Sequence, residues 1–154
     1  MKSFPVLAID YGSARLGIAI SDANGTVASP LKTIDINKSG GLNEAIQIIR
    51  RTVKEYNAAR ILIGMPQAFT EKQQKTQEKV RKFADQVKTN IGLEIVFYDE
   101  SFSTTKAENV LVSLGHNTTS GRKVIDKLSA AIFLQNFLNN ESNKANSLSQ
   151  KENP

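Results

Sequence analysis

Cysteine is absent from the 154-residue chain, and histidine occurs once, at His116. The first absence excludes disulfides, thiolate zinc sites and a cysteine nucleophile. The second excludes histidine-cluster metal centres and argues against a serine–histidine triad. Any metal must then be held by carboxylates, which suits Mg²⁺ or Mn²⁺. Long apolar runs are also missing: none approaches the roughly 20 residues that cross a bilayer. The segment Met1–Leu7 lacks the apolar stretch of a signal peptide. A soluble, cytoplasmic protein is expected.

What is present is ordinary in amount: 40% hydrophobic and 23% charged residues. That composition and length predict one globular domain able to bury its own core. Twenty Lys and Arg against fifteen Asp and Glu give a net charge of +5. A mild basic excess suits a polyanionic partner such as nucleic acid, but many soluble proteins carry as much without binding one. The stretch 139–154 is Asn, Ser, Lys and Glu with only Ala145 and Leu148 apolar. It is expected to be a disordered polar tail, leaving residues 1–138 as the domain.

Within 1–138, Phe4–Asp10 reads as a central strand buried on both faces, since Val6, Leu7, Ala8 and Ile9 are apolar in a row. Leu16–Ser21 and a segment around Thr26–Ile34 follow as strands, with Pro30 marking a sheet edge. The period then changes: Leu42, Ala45, Ile46, Ile49, Val53 and Tyr56 recur at three and four, one face of a helix. Ile61–Ile63 is a short buried strand stopped by Gly64-Met65-Pro66. Thr70 and Gln73 form a capping box for a helix to about Asn90. A strand at Leu93–Tyr98 and helices around Thr105–Leu114 and Arg122–Leu138 complete the series. This order predicts an α/β fold with a mixed five-stranded sheet flanked by helices, matching a ribonuclease H-like layout. Asp10, Gly64 and the Asp99-Glu100 pair then fall along one sheet edge, where open α/β sheets bind ligands.

Three acidic positions could meet there. Asp10 ends the central strand, and Gly12 and Gly17 would let its turn approach a phosphate or metal, or simply make a hairpin. Asp99 and Glu100 end the last strand, where neighbours point to opposite faces unless the strand has given way to loop. Thr105 and Glu108 fit a helix capping box. Asp126 lies on an otherwise apolar helix, either as a functional acid or as a first-turn acid favoured by the helix dipole. Three converging carboxylates repel one another unless a cation joins them. Two divalent ions about 4 Å apart activate water and stabilise the leaving oxygen of a phosphodiester. Arg15, Lys106, Arg122, Lys123 and Lys127 are candidates for binding substrate phosphates.

The stretch from Ile9-Asp10-Tyr11-Gly12 through Arg15-Leu16-Gly17 to Ser21-Asp22 resembles the opening motif of the YqgF family, also called RuvX. Ile63-Gly64-Met65-Pro66, Asp99–Thr104 with Ala107-Glu108, and Lys123–Ala131 match further family motifs in order, so the resemblance covers roughly residues 4–138. It implies a ribonuclease H-like nuclease that acts on the 5′ end of pre-16S rRNA in ribosome biogenesis, or a Holliday junction resolvase. It carries a catalytic, metal-binding triad onto Asp10, the Asp99-Glu100 pair and Asp126, with Glu100 favoured over Asp99 for its longer reach. Asp22 is read as structural. This chain departs from the family pattern in having Ser101 where Arg is usual, and no glycine in Gln67–Glu71. If Ile61–Ile63 separates the first and last strands, Asp10 and Glu100 start about 10 Å apart.

Two other classes remain. The Asp-x-Gly turn also resembles the first phosphate loop of actin-like and sugar-kinase ATPases, which need a second domain that this length does not hold. A non-catalytic RNA-binding or ribosome-assembly module would keep the fold and lose cleavage. A junction resolvase makes two cuts related by a two-fold axis, so it is expected to be a dimer, whereas an RNA nuclease can act as a monomer.

Overall fold

The structure, a computed structural model, describes residues 2–99 and 118–152, and side chains for 2–99 and 124–146. Its sheet has five strands: β1 (Val6–Tyr11), β2 (Arg15–Ser21), β3 (Ala28–Asp35), β4 (Arg60–Met65) and β5 (Glu94–Asp99). The spatial order is β3-β2-β1-β4-β5. β1 runs antiparallel to β2 and parallel to β4, and β4 runs parallel to β5. The apolar run of β1 is therefore central, as predicted, and β4 does separate β1 from β5. β3 is an edge, where Pro30 pairs with Ala19 beside a register shift and no second neighbour needs its missing N–H.

Helices α1 (Leu42–Tyr56) and α2 (Glu71–Ile91) cover one face. Ile46 and Ile49 of α1, and Val80, Phe83 and Val87 of α2, pack there with Leu7, Ile9, Ile18, Ile61 and Ile63. The Thr70 hydroxyl accepts from the Gln73 amide N–H at 3.1 Å and the Gln73 side chain returns to the Thr70 N–H, so the predicted capping box starts α2. Its first half stands in water, apart from half-buried Gln73 and Gln77.

Helix α3 (Thr118–Glu152) covers the other face. Ala130, Phe133, Leu134 and Leu138 close on Val6, Ala8, Ala19 and Leu62. Small residues on the sheet (Ala8, Ala19 and Gly17) let the helix axis come close. Across the stretch expected to be a polar tail, 139–154, helix continues through Glu152. No Gly or Pro occurs between Arg122 and Asn153 to break it. The Arg60 guanidinium also donates to both Glu141 carboxylate oxygens at 3.1 Å, tying the extension to the start of β4. The same guanidinium lies 5.1 Å from the Phe4 ring centre and 5.5 Å from that of Phe137. The predicted helix around Thr105–Leu114 lies outside the described residues.

Candidate active site

Alternation along β1 sends Leu7, Ile9 and Tyr11 towards α1 and α2, and Val6, Ala8 and Asp10 towards α3. Asp10 thus ends the central strand on the face of α3. Its cross-strand partner is Gly17 on β2. Between them the chain reverses in a tight turn, with the Gly12 N–H donating to the Arg15 carbonyl at 2.9 Å. A Cβ on Gly12 would lie 2.8 Å from that carbonyl oxygen, so the turn itself demands glycine.

Gly17 serves a different purpose from the phosphate or metal approach its spacing suggested. A Cβ there would lie 2.0 Å from the backbone oxygen of Asp126 and 2.3 Å from its carbonyl carbon. Helix α3 therefore rests on the backbone of residue 17, beside the strand position of Asp10. Asp10 and Asp126, widely separated in sequence, share one face and one end of the sheet. Asp126 lies beyond the second turn of α3, whose first turn has no acid. The helix-dipole explanation of Asp126 is accordingly removed.

Asp126 has a named counter-charge. The Arg15 Nε–H donates to Asp126 Oδ2 at 2.7 Å, with both side chains roughly a quarter exposed, at 29% and 22%. The sequence reading gave Arg15 to substrate phosphates; in the structure it holds a carboxylate of the candidate site. No local pattern signals a pair separated by 111 positions.

The remaining candidates divide. Ile95 packs on the α1–α2 side and Val96 and Tyr98 on the α3 side, so alternation turns Asp99 towards α2, away from Asp10 and Asp126. Asp99 lines a cleft with Met65 and Gln77 on that side. Glu100 and Lys106 lie outside the described residues. Arg122 and Lys123 belong to the first turns of α3, and their side chains lie outside what is described. Lys127 follows Asp126 and is half-buried. Asp22 is structural, as read: its carboxylate accepts from the Thr26 hydroxyl at 2.6 Å and from the Thr26 and Val27 N–H groups at 2.7 and 3.1 Å. Those bonds, the Thr26 hydroxyl first, hold its pKa down at about 2, below the ordinary carboxylate range.

The donor set at the α3 face is one of hard carboxylate oxygens, which fits Mg²⁺ or Mn²⁺. Among the described residues no three His, Cys, Asp or Glu gather as a complete metal cage. Asp10 and Asp126 are the pair found there, and a guanidinium already supplies positive charge to one of the Asp126 oxygens. No helix among the described residues is long and apolar enough to cross a membrane.

The model of the RuvX family, described as Holliday junction resolvase, matches residues 5–140. The chain belongs to the RuvX family. A Fusobacterium nucleatum protein named "Putative pre-16S rRNA nuclease" is 37% identical over 134 residues, 86% of this chain and 94% of that protein. Among solved structures, Thermus thermophilus RuvC in complex with a Holliday junction substrate superposes with a TM-score of 0.57 at 11% identity, covering 90% of this chain and 95% of that one. Fowlpox virus resolvase in complex with Holliday junction DNA gives 0.56 at 13% identity, covering 89% and 98%. At such identities the likeness is one of fold, and it agrees with the predicted ribonuclease H-like sheet. The names of the RuvX family and its relatives point to a nuclease acting on phosphodiester bonds.

Proposed function

We propose that this RuvX-family protein is a metal-dependent nuclease that processes the 5′ end of pre-16S rRNA in the cytoplasm. The observation that carries this is the seating of Asp126 on Gly17, beside Asp10, at the sheet edge where α/β folds bind ligands. The curated relatives' name supports RNA as the substrate.

In this reading Asp10 and Asp126 hold Mg²⁺ or Mn²⁺, and Glu100 is the third acid. The turn of Asp99 towards α2 supports Glu100 over Asp99. The ion, when bound, supplies Lewis-acid charge for phosphodiester hydrolysis. The chain itself orients the acids: the Gly17 contact sets the height of Asp126 above the sheet, and Arg15 fixes its carboxylate rotamer. Lys127, Arg122, Lys123 and Lys106 are proposed to attract the substrate's phosphates.

The test is cleavage of a 5′-extended pre-16S rRNA fragment and of a four-way DNA junction, each with Mg²⁺ or Mn²⁺, by wild type and by Asp10→Asn and Asp126→Asn. Cleavage of the RNA that both variants lose, while still binding it, supports the reading. Paired cuts in the junction by a dimer would favour the family model's description instead. Binding without cleavage of either substrate by wild type would mark a non-catalytic module.

A further inference from the structure

At the same sheet edge, but on the side of α2, the ends of β4 and β5 enclose a cleft of about 360 Å³ lined by Met65, Gln67, Phe69, Gln77, Phe97 and Asp99, among others. That is near the lower end for small-ligand pockets, about 300–1,000 Å³. Phe69 is 82% exposed and Phe97 45% exposed, so neither ring is needed by the core to the extent that its size would allow. The loop carrying Phe69 is nevertheless fixed. The Gln73 side-chain oxygen accepts from the Phe69 and Thr70 N–H groups at 2.9 and 3.0 Å, and Gln77 Nε2 donates to the Pro66 carbonyl at 2.6 Å. The exposed Phe69 ring is thus held on a pinned loop, where it can meet a ligand entering the cleft.

The chemistry of the lining selects the occupant. The described residues lining the cleft include no Lys or Arg, and its polar groups are the side-chain amides of Gln67 and Gln77 beside the Asp99 carboxylate. Aromatic faces with side-chain amides suit a flat, uncharged heterocycle with hydrogen-bonding edges. The same first half of α2 that supplies Gln77 carries the exposed Lys72, Lys75 and Lys79, interleaved with Glu71 and Glu78. Met65 and Asp99 are register partners one step beyond the row of Gly64 and Tyr98, which continues the row of Asp10. Two strand spacings, about 10 Å, separate β1 from β5. A base in the cleft and a phosphodiester at Asp10 can therefore belong to one substrate strand.

We propose that the Phe69–Phe97 cleft is a subsite that takes an unpaired nucleobase of the substrate, next to the cut. This rests on the nuclease reading above and deepens it: the substrate must present a single-stranded nucleotide, because a base stacked within a duplex cannot enter. It also gives the glycine-free loop Gln67–Glu71 a role in holding a base.

The test uses the full chain in EDTA, so that binding is read without cleavage. The probes are single-stranded RNA and DNA oligonucleotides carrying one 2-aminopurine at successive positions, together with a blunt duplex. Wild type is expected to quench 2-aminopurine at one position of the single strand and not in the duplex. Phe69→Ala, whose thermal unfolding should match wild type, is expected to abolish the quench and weaken single-strand binding roughly tenfold, while Phe69→Trp retains both. Binding by wild type with no position quenched, or unchanged affinity in Phe69→Ala, would overturn the subsite and leave the nuclease reading standing. Failure of wild type to bind either nucleic acid would overturn both.

Discussion

The carbonyl oxygen of Asp126 lies 2.0 Å from the point where a Cβ on Gly17 would stand. The obstacle is backbone, so no side-chain rotation can relieve it, and α3 would have to lift from β2. Gly17→Ala is expected to destabilise the fold by about 2–3 kcal/mol, read by urea unfolding. It should also lower nuclease activity under conditions where the variant is fully folded, because Asp126 is displaced from Asp10. A neutral Gly17→Ala would mean that α3 does not seat on this strand.

Arg15 donates to Asp126 at 2.7 Å with both side chains partly exposed. An exposed pair of this kind contributes at most about 1 kcal/mol, so Arg15→Gln should barely shift the unfolding midpoint. Activity should fall far more, by roughly 10- to 100-fold, since partners that orient a metal-ligating carboxylate have effects of that size. Comparing kcat/KM with unfolding curves for the same preparation separates the two effects.

Asp22 has its pKa held at about 2, below the ordinary carboxylate range, by the hydrogen bonds of the Thr26–Val27 turn. A carboxylate depressed on folding contributes stability that is present above the unfolded pKa and is lost as pH falls through the folded one. The turn should therefore weaken between about pH 4 and pH 2. NMR titration of the Asp22 carboxyl should give a midpoint near the lower value, and Thr26→Val should raise it.

Residues after Leu138 contribute unequally. Glu141 pairs with Arg60, whose side chain is only 13% exposed. A chain ending at Leu138 leaves that guanidinium without its carboxylate and should lose about 1–2 kcal/mol of stability. A chain ending at Asn146 keeps the pair and should unfold within about 0.5 kcal/mol of the full length. Equal stability of the two truncations would mean that the Arg60–Glu141 pair contributes nothing and that the domain ends at residue 138.

The strand and helix order was legible because each element carries its own period. β1 is a continuous apolar run, α1 repeats at three and four, and Thr70 with Gln73 announces α2. Pro30 gave away the edge strand. Asp10 and Asp126 could be named because a carboxylate at a strand end and one on an apolar helix are each costly without a purpose. That they could meet at one sheet edge was legible from the element order; the contact that seats them, Gly17 accepting α3, was not, because it joins distant backbones. The Arg15–Asp126 pair could not be read for the same reason: its partners are 111 residues apart. The helix beyond Leu138 has no sequence signal beyond the lack of a breaker, since its residues are almost all polar. Phe69 drew no notice because a lone aromatic in a loop has no periodicity to mark which way it faces.

Anomalous scattering from a crystal of the full chain soaked in Mn²⁺ tests the central claim most directly. The account predicts a peak bridged by carboxylate oxygens of Asp10 and Asp126 on the α3 face of the sheet, absent from crystals of Asp10→Asn. A saturating soak that leaves that position empty, with the Arg15–Asp126 pair intact, would contradict it.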